Sequence, residues 1–246
     1  MRVENDIKLD YSDVLIRPKR STLGSRKEVE LNRKFTYRNI SGTRLVDYDY
    51  NGIPIMAANM DGVGTFKMAD TLSRQGIFTC LVKTYSVDEL IGYFEQGSLG
   101  ESRTEYVAMS IGITKKDLDK LASVYSVTKR QLKYICIDVA NGYSERFVKF
   151  IKHVKEYFPF LVIIAGNVVT ADQTQELILN GADIVKVGIG PGSVCTTRIK
   201  TGIGYPQLSA VMECSDAAHG LGGHVIADGG CTCSGDVSKA FSAGAD

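Results

Sequence analysis

One cysteine in this sequence stands where a thiol can react. The segment Gly188-Ile-Gly-Pro-Gly-Ser-Val-Cys-Thr-Thr-Arg198 places Cys195 among glycines and hydroxyls, with Arg198 three residues on. The thiolate is the nucleophilic form of cysteine, and polar neighbours with a nearby guanidinium favour it. Glycines at 188, 190 and 192 let the backbone approach a ligand closely and turn successive N–H or C=O groups toward an ion, as anion and cation nests require. As a dinucleotide fingerprint the segment fails, because the third glycine has the wrong spacing, Pro191 interrupts it and no helix is expected directly after it.

Asp228-Gly229-Gly230 is the second constellation. It reads either as a turn made for its geometry or, at a strand end, as a ligand-binding loop. The remaining metal and thiol chemistry is thin. None of His153, His219 and His224 has a second histidine or a carboxylate at zinc-ligand spacing, and Cys231-x-Cys233 lacks the second pair a structural zinc needs. These two are read as ordinary loop thiols. With no secretion signal at the N-terminus, the six cysteines are expected to be reduced.

The elements that must position these residues are short β-rich runs alternating with longer amphipathic stretches from about residue 52 onward, the mark of repeated βα units. Strands are predicted at 53–58, 77–83, 106–111, 134–139, 161–165, 184–188 and 224–227. Ile-Val-Lys-Val-Gly-Ile and Leu-Val-Ile-Ile-Ala-Gly show the near-continuous apolar character of parallel strands covered on both faces. Helices are predicted near 66–75, 86–96, 115–130, 144–157, 171–180, 207–219 and 235–243, with Thr114 and Thr170 among the N-caps. Polar residues or glycine end nearly every strand, which points to a (β/α)₈ barrel with its active face there; an open doubly wound sheet is the alternative. On such a face a Cys-Thr-Thr-Arg cluster has no packing use. With no linker in sight, the chain is expected to be a single domain over 1–246 with an N-terminal extension, 1–51, across the mouth or the base of the barrel. Phe241-Ser-Ala-Gly-Ala-Asp246 parallels Asn180-Gly-Ala-Asp183, which leads into a strand, so an eighth unit is expected to follow Asp246.

Composition narrows the partners. Twenty-nine basic residues balance 28 acidic ones, which argues against nucleic acid and anionic membrane. No apolar run approaches the roughly 20 residues that span a bilayer, so a cytoplasmic location is expected.

The sequence resembles the IMP dehydrogenase/GMP reductase family over essentially its whole length. The resemblance rests on 188–198, on Thr-Gly-Ile-Gly-Tyr-Pro-Gln (201–207), on Ala-Asp-Gly-Gly-Cys-Thr (227–232) and on Ala-Ala-Asn-Met-Asp (57–61). The reductase branch fits better than the dehydrogenase branch. Only 22 residues separate Lys83 from Tyr106, with no room for the regulatory CBS pair. Ala-Ala-Asn-Met-Asp stands where dehydrogenases have Ser-Pro-Met-Asp, and Lys200, Tyr205 and Asp138-Val-Ala-Asn-Gly-Tyr-Ser144 resemble the reductase versions of their loops. A dehydrogenase without its CBS module and a non-catalytic nucleotide-binding barrel are the alternatives.

What the resemblance implies is reductive deamination of GMP to IMP and ammonia with NADPH. It makes Cys195 the nucleophile on C2 of the purine, passing through a thioimidate, and Thr197 the handler of the amine proton. By the same resemblance Asp228 accepts the ribose hydroxyls, while Gly229 and Gly230 make room for the phosphate and Ser193 donates to it. The cofactor is assigned Ser25, Arg26, Lys83, Asp138, Val139, Ala140, Ile189 and Gly190. Potassium is assigned the carbonyls of Gly190, Gly192 and Cys195, with Arg198 nearby. A homotetramer is implied, as is a flap beyond the eighth strand carrying a glutamate that partners Thr197. Val82, Thr84 and Gly62 depart from the reductase pattern.

Overall fold

A computed structural model describes residues 3–39, 49–96 and 102–246. Its sheet has the strand order β1 to β8 without rearrangement. The short β1 (Arg33–Phe35) pairs antiparallel with β2 (Tyr50–Ala57). From β2 on, every neighbour is parallel: β3 (Ile77–Cys80), β4 (Val107–Ile111), β5 (Tyr134–Asp138), β6 (Val162–Val168), β7 (Ile184–Val187) and β8 (His224–Ala227). Between them run α1 (Phe66–Ser73), α2 (Val87–Gln96), α3 (Lys115–Thr128), α4 (Glu145–Tyr157) and α5 (Ala171–Leu179). The short α6 (Thr197–Thr201) and then α7 (Gln207–Gly220) follow β7, and α8 (Ser234–Ser242) follows β8. The result is a partial (β/α)₈ barrel, as the alternation predicts.

Strand alternation sorts the apolar residues into two cores. Ile135, Ile137, Ile163 and Ala165 face the helices, where they meet Leu121, Phe147, Ile151, Leu177 and Val211. Tyr134, Cys136, Val162 and Ile164 point the other way, into the lumen, with Phe78 and Cys80. Helix α4 shows why its sequence must lie on this surface. Phe147, Ile151 and Val154 recur at helical spacing and are buried, and Ser144 caps the first turn by accepting from the Phe147 amide at 3.3 Å. At α3 a capping box does the same work: Thr114 Oγ1 accepts from the Asp117 amide and the Asp117 carboxylate accepts from the Thr114 amide.

The N-terminal extension reaches both ends of the barrel. At the mouth, Leu9 exchanges hydrogen bonds with Ser209 of α7, and Lys239 of α8 donates to the Tyr11 carbonyl. At the base, His224 Nε2 meets the Thr36 carbonyl at 2.9 Å, and Tyr37 packs edge-on against Tyr134. With Phe35, Tyr50 and Phe78, these rings close the bottom of the lumen. A cavity of about 410 Å³ remains between β2 and β8; it is lined mainly by apolar side chains, including Ile164, Ile184 and Ile226, and ends at Asp228 and Gly229. Among the described residues, no helix is long and apolar enough to cross a membrane.

Two elements are absent from the sequence expectations. The extension contributes β1, and the Cys195 loop turns into α6 at Thr197 where no helix was expected. Strand β6 also runs past Ala165 to Val168.

Candidate active site

The Cys195 loop starts where β7 ends. Gly188, at φ 152°, lies so close to β8 that a Cβ there would collide with the Asp228 carbonyl oxygen. Only glycine lets the two strand ends meet. Gly229 and Gly230 then take φ values of 86° and 85°, and a Cβ at either would come within 3.2 Å of the Pro191 ring. The loops after β7 and β8 are thereby locked together.

Within the first loop, the Cys195 amide donates to the Gly192 carbonyl at 3.0 Å. The Cys195 thiol donates to Thr197 Oγ1 at 3.4 Å. Because the Thr197 hydroxyl and then the Thr197 amide hydrogen-bond the sulfur, with Arg198 adding positive charge, the thiol is held below its ordinary pKa despite slight desolvation. Arg198 staples the loop. Its Nε donates to the Ile189 carbonyl at 3.2 Å, its Nη2 donates to the Tyr205 carbonyl, and its Nη1 lies 3.5 Å from the Asp10 carboxylate. Asp10 also accepts from the Gln207 amide, so the N-terminal segment fixes the loop from outside. Val194 and Ile199, beside the cysteine, are exposed, and the site opens to solvent.

Asp228 is held from one side only. Its Oδ2 accepts from Asn167 Nδ2 at 2.8 Å and lies 3.2 Å from Lys186 Nζ. Among the described residues no donor engages Oδ1, which leaves that oxygen for a ligand. Lys186 is buried, with a side chain 3% exposed, and donates to Asp138 Oδ1 at 3.1 Å and Asn59 Oδ1 at 3.0 Å. Burial opposes its charge, but the negative groups around it, the Asp228 and Asp138 carboxylates among them, outweigh that and raise its pKa. It is a fixed cation.

The structure therefore brings Cys195, Thr197, Arg198, Ile189, Gly190 and Gly192 into one loop. It packs Gly229 and Gly230 against that loop and ties Asp138 to Asp228 through Lys186. The Val139 amide donates to the Gly166 carbonyl at 3.0 Å, and Ala140 is exposed beside it. Other predicted residues stand apart. Lys83 is exposed after β3, its carbonyl accepting from Lys120 Nζ at 2.9 Å. Ser193 is exposed on the cysteine loop, and Ser25 caps a short turn at the Lys27 amide with Arg26 exposed beside it. None of these four hydrogen-bonds Cys195, Asp138 or Asp228.

Sequence reasoning missed Lys186, Asn167, Asn59 and Asp10. Lys186 carried a readable signal, a lone lysine inside Ile-Val-Lys-Val, where a covered strand has no solvent for a charge. Asp10 and Asn59 carried none, since their partners are remote in sequence.

Among known proteins, the family model described as the IMP dehydrogenase/GMP reductase domain matches residues 8–246. The chain is similar to GMP reductase 2 of Homo sapiens, at 57% identity over 244 residues, 99% of this chain and 67% of that protein. It is also similar to the GMP reductase of Buchnera aphidicola subsp. Schizaphis graminum, at 57% over 246 residues, all of this chain and 68% of that one. The GMP reductase of Caenorhabditis elegans is 58% identical over 245 residues, 66% of its own length.

Proposed function

This chain belongs to the IMP dehydrogenase/GMP reductase family, and from that premise we propose that it converts GMP to IMP and ammonia with NADPH, through a thioimidate on Cys195. The observation that carries this reading is the Cys195–Thr197 pair, a thiol of lowered pKa in a loop packed against Asp228. The relatives' names favour reduction over oxidation.

In this reading GMP is held by Asp228, whose Oδ1 accepts from the ribose hydroxyls, while Gly229, Gly230 and Ser193 face the phosphate. The Cys195 thiolate forms a bond to C2 of the purine. The C2–N bond to the 2-amino group then breaks, its electron pair leaves with nitrogen, and Thr197 passes a proton to the departing ammonia. What remains is a thioimidate, with C2 doubly bonded to a ring nitrogen. NADPH, when bound, supplies the hydride that C2 requires. As C2 gains that hydride, the C–S bond breaks and Cys195 is regenerated as the thiolate while IMP departs. Splitting a difficult substitution into two addition–elimination steps lowers each barrier.

The residues present fit the dinucleotide. Lys83 and Arg26 are exposed cations suited to its phosphates, with Ser25 as a further donor. Asp138, Val139, Ala140, Ile189 and Gly190 line the strand ends toward the cysteine. They also fit a monovalent cation, which the carbonyls of Gly190, Gly192 and Cys195 would hold beside Arg198. Main-chain oxygens in a glycine-rich turn are the donor set for such an ion, and it would stiffen the loop carrying Cys195. The proposed unit is one catalytic domain without a CBS insertion, assembling as a homotetramer.

The test is a pair of assays on one preparation. Consumption of NADPH with GMP, matched mole for mole by ammonia, supports the reading. Reduction of NAD⁺ with IMP, without the first activity, would make the chain a dehydrogenase.

A further inference from the structure

Lys186 lies on the lumen face of β7, where a charge is costly unless it is fully paired. Its ammonium has three N–H donors and meets three oxygens: Asn59 Oδ1 at 3.0 Å, Asp138 Oδ1 at 3.1 Å and Asp228 Oδ2 at 3.2 Å. Each partner comes from a different strand end, those of β2, β5 and β8.

The path of the side chain is built into the sheet. Register places Asp138 opposite Gly166 and Gly166 opposite Lys186, so the lysine must cross β6 to reach Asp138. Gly166 clears that path: a Cβ there would come within 2.6 Å of both Lys186 Cβ and its carbonyl oxygen. An ion pair made only for stability would hide both partners. Here the cation is buried while both carboxylates stay about a quarter exposed at the mouth, at 28% and 27%. Without the ammonium, the two carboxylates would face each other uncompensated and the Asn59 carbonyl would lose its donor.

The geometry points to Lys186 as a positioning residue for both proposed subsites at once: one ammonium holds Asp228 for the nucleotide and Asp138 for the dinucleotide, and so fixes their separation. This rests on the reading of the site given above.

Calorimetric titrations of GMP alone and NADP⁺ alone test the idea on the wild type, Lys186→Met and Lys186→Arg. Lys186→Met is expected to weaken both ligands by about tenfold or more, the scale for removing one partner of a buried hydrogen-bonded charge pair. Lys186→Arg keeps the charge and should recover most of the affinity for both. A folded Lys186→Met that weakens only one ligand, or neither, overturns the proposal while leaving the function intact. A wild type that binds neither ligand overturns the function and this proposal with it. Should Lys186→Met not fold, the wild type labelled with ¹³C at lysine Cε decides, its Lys186 signal being assigned by Lys186→Arg. GMP and NADP⁺, added separately, should each shift that signal, and a signal that answers to only one of them overturns the proposal.

Discussion

Two lysines largely withdrawn from solvent, one near each end of the barrel, solve the same electrostatic problem in opposite ways. At the base, Lys155 of α4 donates to the Leu161 carbonyl at 3.0 Å and pairs with Asp183 at 3.3 Å. Asp183 is fully buried and spends its oxygens on the chain itself, accepting from the Ile163 amide at 2.9 Å and the Asn39 amide at 3.2 Å. Burial dominates there: it lowers the Lys155 pKa and raises that of Asp183, against the attraction between them. At the mouth the attraction wins, Lys186 is held charged, and Asp228 keeps Oδ1 clear. A carboxylate consumed by main-chain donors serves the fold, whereas one held by side chains with an oxygen to spare is ready for a ligand. That division matches the general separation of stability and activity between the two faces of such barrels. Asp246 repeats part of the base pattern two strands later, accepting from the Val225 amide of β8 at 2.9 Å as Asp183 does from Ile163 of β6.

Substitutions can break this contrast, and the largest effect belongs to the mouth. Cys195→Ala should reduce turnover by roughly 10³-fold or more, since the bond-forming atom is gone, while calorimetric GMP affinity stays near that of the wild type. Thr197→Ala should slow single-turnover ammonia release by about 10²–10⁴-fold, the range for a positioned proton donor; unchanged release would reduce the threonine to a loop hydroxyl. Neither should move the melting temperature much, because both side chains lie in the loop outside the two cores.

At the base the signs reverse. Asp183→Ala strands Lys155 and two amides, which should cost about 3–5 kcal/mol and lower the melting temperature by on the order of 10 °C. The rate per folded molecule should not change. A large loss of kcat in material shown to be folded would mean that the two ends are not separable.

The smallest expected effect is on pH dependence. The Cys195 pKa is lowered, so the thiolate fraction at neutral pH exceeds that of an ordinary thiol. Alkylation by iodoacetamide should therefore show a midpoint below that of an unperturbed thiol. The Thr197 hydroxyl is the largest cause of the lowering, so Thr197→Ala should move the midpoint up. A midpoint unaffected by that change would assign the activation elsewhere.

Much of the frame was legible because periodicity survives in long elements. The strand predicted at 224–227 coincides with β8, and helix α4 starts one residue after its predicted start because Ser144 is the cap. Strand β1 was invisible for a physical reason. Its three residues, Arg-Lys-Phe, have no pattern of their own and are extended only through pairing with Tyr50–Gly52. Helix α6 hid behind the glycines that precede it. Cys195 and Asp228 could be picked out because their loops break composition so sharply. The connection between the subsites could not, since it depends on register: only the alignment of Gly166 with Lys186 shows that the lysine reaches Asp138.

The central claim is that Cys195 forms a bond to the purine, and intact-protein mass spectrometry with peptide mapping tests it most directly. Protein incubated with GMP and NADP⁺, which cannot donate hydride, should gain the mass of GMP less ammonia, located on the peptide carrying Cys195, and should lose the added mass when NADPH is supplied. Folded protein that binds GMP yet carries no added mass at Cys195, while still oxidising NADPH with GMP, would contradict the covalent route.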